Sequence, residues 1–313
     1  MTTDSASGHS APFFGSQRDF WWNEDFLGLV VERLGLTGTR SVLDVGCGLG
    51  HWSRVLSRVL PAVSEITGID PEGAWVRQAR LVDADRGRPI QASVDQGWGE
   101  RLPYPDARFD LVTCQTVLIH VADVPTVLRE MCRVVQPGGT VLVAEPNNLA
   151  GQLVRSSVSS QNDPEALASS IHFYATCEAG KIKVGEGDNS VGDLLPGYFA
   201  EAGLDLVGCY LSDKSSPLWP PYSSPEQAAL VRAIEGAAAE ERCPWNRDEA
   251  RRYFLAGGGS EAAFAEAWST RVRAVQADLA AVQSGSFWSA GGQLMYLVGG
   301  QKRATVKQPT TES

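Results

Sequence analysis

Three glycines and two aspartates carry the most chemistry in this sequence. Gly46, Gly48 and Gly50 follow directly on the apolar run Val42-Leu43-Asp44-Val45. Asp44 lies inside that run, and Asp70 closes a second apolar stretch, Ile66-Thr67-Gly68-Ile69, roughly twenty residues beyond the last glycine. A turn without side chains lets backbone amides approach a ligand closely. A carboxylate at the tip of the neighbouring strand offers two acceptor oxygens to a pair of ribose hydroxyls. The pattern therefore points to a ligand that carries a nucleoside. The dinucleotide fingerprint puts its third glycine where this chain has His51; here the glycine falls one residue early, at Gly50. Asp44, two residues ahead of Gly46, would repel a pyrophosphate but suits a ligand bearing an ammonium and a sulfonium.

These residues need a scaffold, and the apolar periodicity supplies one. Val42, Leu43 and Val45 read as a buried strand, while Trp52, Val55, Leu56, Val59 and Leu60 recur at helical spacing over 51–60. The same alternation continues with strand 65–69, helix 72–83, a short strand near 89–94, strand 109–114, helix 123–135 and strand 140–145. Strands alternating with helices imply a mostly parallel sheet covered on both faces. Upstream, a small polar segment (1 to about 15) is expected to fray, and Phe20-Trp21-Trp22 leads into an amphipathic helix with Phe26, Leu29, Val30 and Leu34.

After Glu145 the rhythm changes. Helices are expected from Pro164 to about Cys177 and over 191–202, then strands over 204–211 and 293–298. Roughly eighty residues separate the last two strands, far more than an ordinary connection. Ser224-Pro225-Glu226-Gln227 within them reads as a capping box with proline at the first helical position. Helical patterns follow at 247–256 and 260–283. Leu230, Ile234, Phe254, Phe264, Trp268 and Val275 need something to bury against. Together with 149–190, this insertion is expected to form a helical lid over the strand ends. The competing reading is a peripheral helical decoration or a dimer surface.

Asp44-Val45-Gly46-Cys47-Gly48-Leu49-Gly50 with Asp70 resembles the first two motifs of the class I S-adenosylmethionine-dependent methyltransferases. Arg108-Phe109-Asp110-Leu111-Val112-Thr113-Cys114-Gln115 is similar to that family's fourth-strand motif. Val134-Val135-Gln136-Pro137-Gly138-Gly139-Thr140-Val141-Leu142-Val143 is similar to the turn into its fifth strand. The match spans about residues 40 to 146. The resemblance implies a doubly wound, mostly parallel Rossmann-like α/β sheet of seven strands, the last antiparallel, with S-adenosylmethionine as cofactor.

The resemblance also assigns roles. Gly46, Cys47, Gly48 and Gly50 would lie against the methionyl part of the cofactor, and Asp44 would accept from its ammonium. Asp70, beside Pro71, would hold the ribose. Gln115, at the end of the fourth strand, would offer its backbone to the methionine portion. Relatives often carry an aspartate before the Leu-Pro pair that here is Leu102-Pro103, and this chain departs from them with Trp98-Gly99-Glu100. Trp98 could stack on the purine while Gly99 offers its amide; alternatively Asp95 or Glu100 supplies the polar contact. Trp21 and Trp22, ahead of the first helix, are candidates to close over the cofactor, with at least one of them expected in the core. His120 is a usable base, since histidine's ordinary pKa is about 6.5; its other reading is a structural one at a helix start. His172 and Tyr174 on the expected lid are further candidates.

The chain of 313 residues is 43% hydrophobic, enough for one well-cored domain plus a sizeable addition. Its net charge of −10, without a Lys/Arg run, disfavours nucleic acid and anionic membranes as partners. The six cysteines show no CxxC pair and no zinc spacing, which suits a reduced cytoplasmic setting with no metal. No signal-peptide pattern and no apolar run of about twenty residues is present. The expected organisation is a cap segment (1–40), a cofactor-binding core (41–148), lid parts at 149–190 and 214–289, completion of the sheet by 191–213 and 290–303, and a polar tail (304–313). The expected activity is methyl transfer to an oxygen, nitrogen or carbon of a small molecule. Alternatives are a protein of the same fold that binds S-adenosylmethionine for other chemistry or sensing, or an NAD(P)-dependent reductase.

Overall fold

Val42, Leu43 and Val45 are withdrawn from solvent because the strand they form, β1 (Ser41–Val45), is internal to the sheet and packed on both faces. It pairs in parallel with β2 (Glu65–Asp70) on one side and with β4 (Phe109–Gln115) on the other. β3 (Gln91–Gln96) adds to β2, and β5 (Val135–Asn147) adds to β4, again in parallel. β7 (Leu294–Lys302) then lies antiparallel between β5 and β6 (Leu204–Leu211). The resulting seven-stranded order is β3-β2-β1-β4-β5-β7-β6. Chain direction along the sheet reverses between β1 and β4, and a crevice opens at the carboxyl ends of the strands at such a switch point. The computed structural model describes residues 16–83 and 89–304; the expected frayed N-terminus and the tail from residue 305 lie outside the described residues.

Two helical layers cover the sheet. On one face, α1 (Glu24–Arg33) and α2 (His51–Val59) bury Leu27, Val30, Trp52, Val55 and Leu56 against Val42, Ile66 and Leu297. Leu29 is 42% exposed, so the buried stripe of α1 runs through Leu27, Val30 and Val31 instead. On the other face, α4 (Val124–Val134) and α7 (Leu195–Glu201) contribute Val127, Leu128, Met131 and Phe199. Each fully buried side chain of this size contributes about 1.5–3 kcal/mol of transfer free energy.

The helix expected over 72–83 is only α3 (Gly73–Gln78). Beyond it the chain turns away, because the Arg80 amide donates to the Leu49 carbonyl and Arg54 donates to the Arg80 carbonyl at 2.7 Å. Tertiary hydrogen bonds to the glycine loop replace the next helical turn. After the short α5 (Asn148–Gly151), the long α6 (Pro164–Lys183) runs past the residue 177 boundary expected from periodicity.

α8 (Pro225–Ala239), α9 (Arg247–Ala256) and α10 (Glu261–Gln283) complete the insertion, and Ser224 with Gln227 forms the expected capping box. With α6 these helices have a core of their own. Phe173 stacks on Phe254 at 5.6 Å between ring centroids, and Phe264 stacks on Trp268 at 5.8 Å. α6 and α9 touch backbone to backbone at Gly180, where a Cβ would lie 1.7 Å from the Tyr253 carbonyl oxygen.

Candidate active site

The bend after β1 is tied to the end of β2 from three directions. Gly46 and Cys47 both donate to the Ile69 carbonyl, at 2.7 and 3.1 Å, and the Gly48 amide donates to Asp70 Oδ2 at 2.9 Å. The other Asp70 oxygen accepts from the Glu72 amide at 2.9 Å. Burial pushes the Asp70 pKa up, while these two amides pull it back toward the ionised form. Gly46 has φ +68°, and a Cβ there would meet Val117 Cγ2 at 2.5 Å. Both the backbone conformation and the space require glycine.

A cavity of about 580 Å³ opens above this bend. Gly46, Asp70, Pro71, Trp98, Gly99 and Gln115 line it, joined by Glu72, Trp75, Val117 and Glu100. The size suits a nucleoside-bearing cofactor. Trp98 is 66% exposed, so it is a free aromatic face at the rim rather than a core residue. Asp95 is taken by the Tyr104 hydroxyl at 2.8 Å and is absent from the wall, whereas Glu100 is part of it.

A second cavity of about 420 Å³ adjoins the first, and Arg18, Thr116 and His120 line both. Its floor includes Pro146 near the end of β5, Asn148 at the start of α5 and Gln293 just before β7. Its roof is helical: Tyr174 and Glu178 of α6, with Pro244 and Trp245 ahead of α9. Trp21 completes an aromatic trio with Tyr174 and Trp245, and the Arg18 guanidinium sits 4.8 Å from the Trp21 ring centroid.

The wall shared by both cavities is the turn after β4, and buried charges hold it. Glu145, fully buried in β5, accepts from the Val117 and Leu118 amides through Oε1, each at 2.8 Å. Lys181 of α6 donates to the Ile119 carbonyl at 2.6 Å and to Asn189. Burial lifts the Glu145 pKa to about 7 and lowers that of Lys181 to about 8. Glu178, also lifted to about 7 by burial, accepts from Ser190 Oγ at 2.8 Å. Arg18 is depressed to about 10 by burial, with the Glu145 carboxylate opposing the shift, and remains a cation at neutral pH.

The structure thus brings six residues of the expected cofactor set to one wall. Five others stand behind it. Asp44 is buried, accepts from Ser53 Oγ at 2.5 Å, and has its pKa raised to about 7 by desolvation. Cys47 packs against Gly68, and Gly48 turns its amide to Asp70. Gly50 serves a backbone contact, since a Cβ on it would lie 2.2 Å from the Arg80 carbonyl oxygen. Trp22 is in the core, 5.1 Å from Trp52 between ring centroids, and the aromatic facing the second cavity is its neighbour Trp21.

Of the base candidates, His120 lies at the junction and Tyr174 in the second cavity. His172 is exposed and lines none of the cavities described here: two residues from Tyr174, it projects from the opposite side of α6. His51 starts α2 and pairs with Asp19 at 2.9 Å. Arg18, Thr116, Glu178 and Lys181 were not singled out from the sequence. Only the polar Gln-Arg-Asp just ahead of Phe20-Trp21-Trp22 could have flagged Arg18; the others sit in segments with no motif.

A parallel sheet switching direction between β1 and β4, a glycine bend and an acid at the tip of β2 together define the class I S-adenosylmethionine-dependent methyltransferase fold. Comparison with known proteins agrees with this fold: residues 43–143 match the methyltransferase domain family. An uncharacterized methyltransferase of Bacillus subtilis, YcgJ, is 31% identical over 145 residues, covering 46% of this chain and 55% of its own length. A ubiquinone biosynthesis O-methyltransferase of Proteus mirabilis is 34% identical over 152 residues, 44% of this chain and 60% of its own length. The chain therefore spans little more than half of these relatives. The crystal structure of YcgJ superimposes on 90% of this chain and 99% of its own, with 18% identity and a TM-score of 0.46. Among the described residues, no helix is long and apolar enough to cross a membrane.

Proposed function

We propose that this chain moves a methyl group from S-adenosylmethionine to an oxygen, nitrogen or carbon atom of a small molecule held in the second cavity. The observation that carries this reading is the junction: a cavity suited to the cofactor and a second, roofed cavity share Arg18, Thr116 and His120. Asp70 and the Gly46 bend fit the ribose and methionine portions, and the space above Gly46 is one that a Cβ could not share. Trp98 offers a face for the purine.

The bound cofactor supplies an activated methyl, so the protein's task is alignment. The turn from Gln115 to His120, fixed by Glu145 and Lys181, orients the acceptor where the cavities meet. His120 stands at that junction to take a proton from an acceptor that must lose one; an amine entering neutral needs no such help. Helices α6 and α9, with the Pro244-Trp245 segment, act as the lid that excludes water. The relatives named for ubiquinone and menaquinone biosynthesis support a small organic acceptor. Acidic composition argues against nucleic acid.

Calorimetric titration with S-adenosylhomocysteine and with NADPH tests the reading. Binding of the first and not the second is expected; binding of NADPH alone would replace methyl transfer with reduction.

A further inference from the structure

The acceptor cavity does not end at its helical roof. Gly151, Gln152 and Tyr174 line it and also line a third cavity of about 620 Å³. This third space lies between the segment 151–164 and the face of α10 that carries Arg271, Ala274, Val275 and Asp278. Leu153, Val154, Val158, Leu167 and Phe287 make much of its wall apolar. The three cavities therefore form a chain, with the cofactor space at one end and this apolar space at the other.

The charges in that far wall are unequal in their engagements. Arg271 donates to Ser170 and acts on the Tyr174 hydroxyl, and Arg155 donates to the Ser160 carbonyl at 2.9 Å. Asp278 has no hydrogen bond or ion pair among the described residues, although it is only partly exposed. Burial pushes its pKa up to about 6, so the group is still an anion at neutral pH. It lies two helical turns from Arg271, about 10 Å along α10 on the same face. Asp163, the other carboxylate in this wall, accepts from the Ala166 amide at 2.7 Å, which leaves Asp278 as the half-desolvated acid with no partner among the described residues, and such a group gains most from a cation.

We infer that the acceptor is an extended, largely apolar molecule bearing a basic nitrogen, its methyl-accepting end at Thr116 and His120 and its ammonium on Asp278. This rests on the methyl-transfer reading above. A ligand spanning the second and third cavities passes Tyr174, which lines both and whose hydroxyl is steadied by Arg271. Selectivity then comes from the far cavity, whereas the chemistry stays at the junction.

The test uses the full chain saturated with S-adenosylhomocysteine, titrated calorimetrically with n-dodecylamine, n-dodecanol and dodecanoate. The amine is expected to bind about tenfold more tightly than the alcohol, the scale of one charge-assisted hydrogen bond. Asp278→Asn should bring amine and alcohol to within about twofold, with S-adenosylhomocysteine affinity unchanged. Ala274→Trp, which fills the third cavity, should weaken all three probes. Glu201→Gln, removing an exposed acid from α7, should alter nothing and so separates a site from attraction by net charge. An amine preference that survives Asp278→Asn, or falls equally in Glu201→Gln, overturns the inference while S-adenosylhomocysteine still binds. Failure of S-adenosylhomocysteine to bind would remove the methyl-transfer reading and the acceptor assignment with it.

Discussion

Asp70 Oδ2 accepts from the Gly48 amide at 2.9 Å, so the acid expected to hold a ribose also ties down the bend expected to cradle the rest of the cofactor. The two motifs are one mechanical unit. Asp70→Ala should therefore weaken S-adenosylhomocysteine binding by about 1–3 kcal/mol, the range for losing a hydrogen bond to a charged group and leaving a buried amide unpaired. Calorimetry on the purified variant gives the answer; an unchanged affinity means the ribose lies elsewhere.

Gly46→Ala places a methyl group against Val117 and holds an alanine at φ +68°. The left-handed backbone alone costs roughly 1–2 kcal/mol. Adding Val117→Ala should recover the steric part of the loss in thermal melts, but not the conformational part. Full recovery by the double variant would show that only the clash matters.

The Trp98 ring is largely exposed and lines the first cavity. Trp98→Ala should leave the melting temperature in place while weakening S-adenosylhomocysteine by about 0.5–1.5 kcal/mol, and Trp98→Phe should retain most of the affinity. A drop in stability without a drop in affinity would return the purine to Glu100 or the Gly99 amide.

Glu145 separates charge from hydrogen bonding. Glu145→Ala leaves the buried Val117 and Leu118 amides without an acceptor, a destabilisation of about 1–3 kcal/mol for each. Glu145→Gln keeps a carbonyl oxygen for them and should melt close to the parent. If both variants melt alike, the turn is held by something other than this side chain.

The pH profile of stability follows from the same burial. Asp44, Glu145 and Glu178 each have a pKa raised to about 7, above their unfolded values, so the folded state holds their protons more tightly. Their contribution is full below the unfolded carboxylate range of about 4 and is lost as pH rises through about 7. Lys181, lowered to about 8, adds no slope in that window because it is protonated in both states there. The ligand-free protein should melt progressively lower from about pH 5 to about pH 7.5, and Asp44→Asn should flatten part of the slope. An Asp44→Asn profile parallel to the parent's would mean that Asp44 is ionised throughout.

Much of this protein could be read from local pattern. The run from Val42 to Gly50 specified a buried strand, a bend and a helix, because apolar spacing and positive-φ glycine are decided within a few residues. Asp70 at the end of β2, the capping box at Ser224 and the helices around 247–256 and 260–283 were legible for the same reason. Gly46, Pro71, Trp98, Gly99 and Gln115, grouped from motif order as one cofactor set, line a single cavity, whereas the order of the strands was not legible in the sequence.

The rest depended on contacts between segments far apart in the chain. Arg18 meets Thr116, Lys181 meets the Ile119 carbonyl, and Glu145 meets the turn after β4, and no spacing in the sequence encodes such pairings. Trp21 rather than Trp22 faces the cavity, and Tyr174 rather than His172, because the packing of α1 and α6 fixes which side of each segment is turned inward. The third helix stopped early for a similar reason: the backbone of Arg80 found partners in the glycine loop. Periodicity sets which residues can share a face, but only the folded chain sets what that face meets.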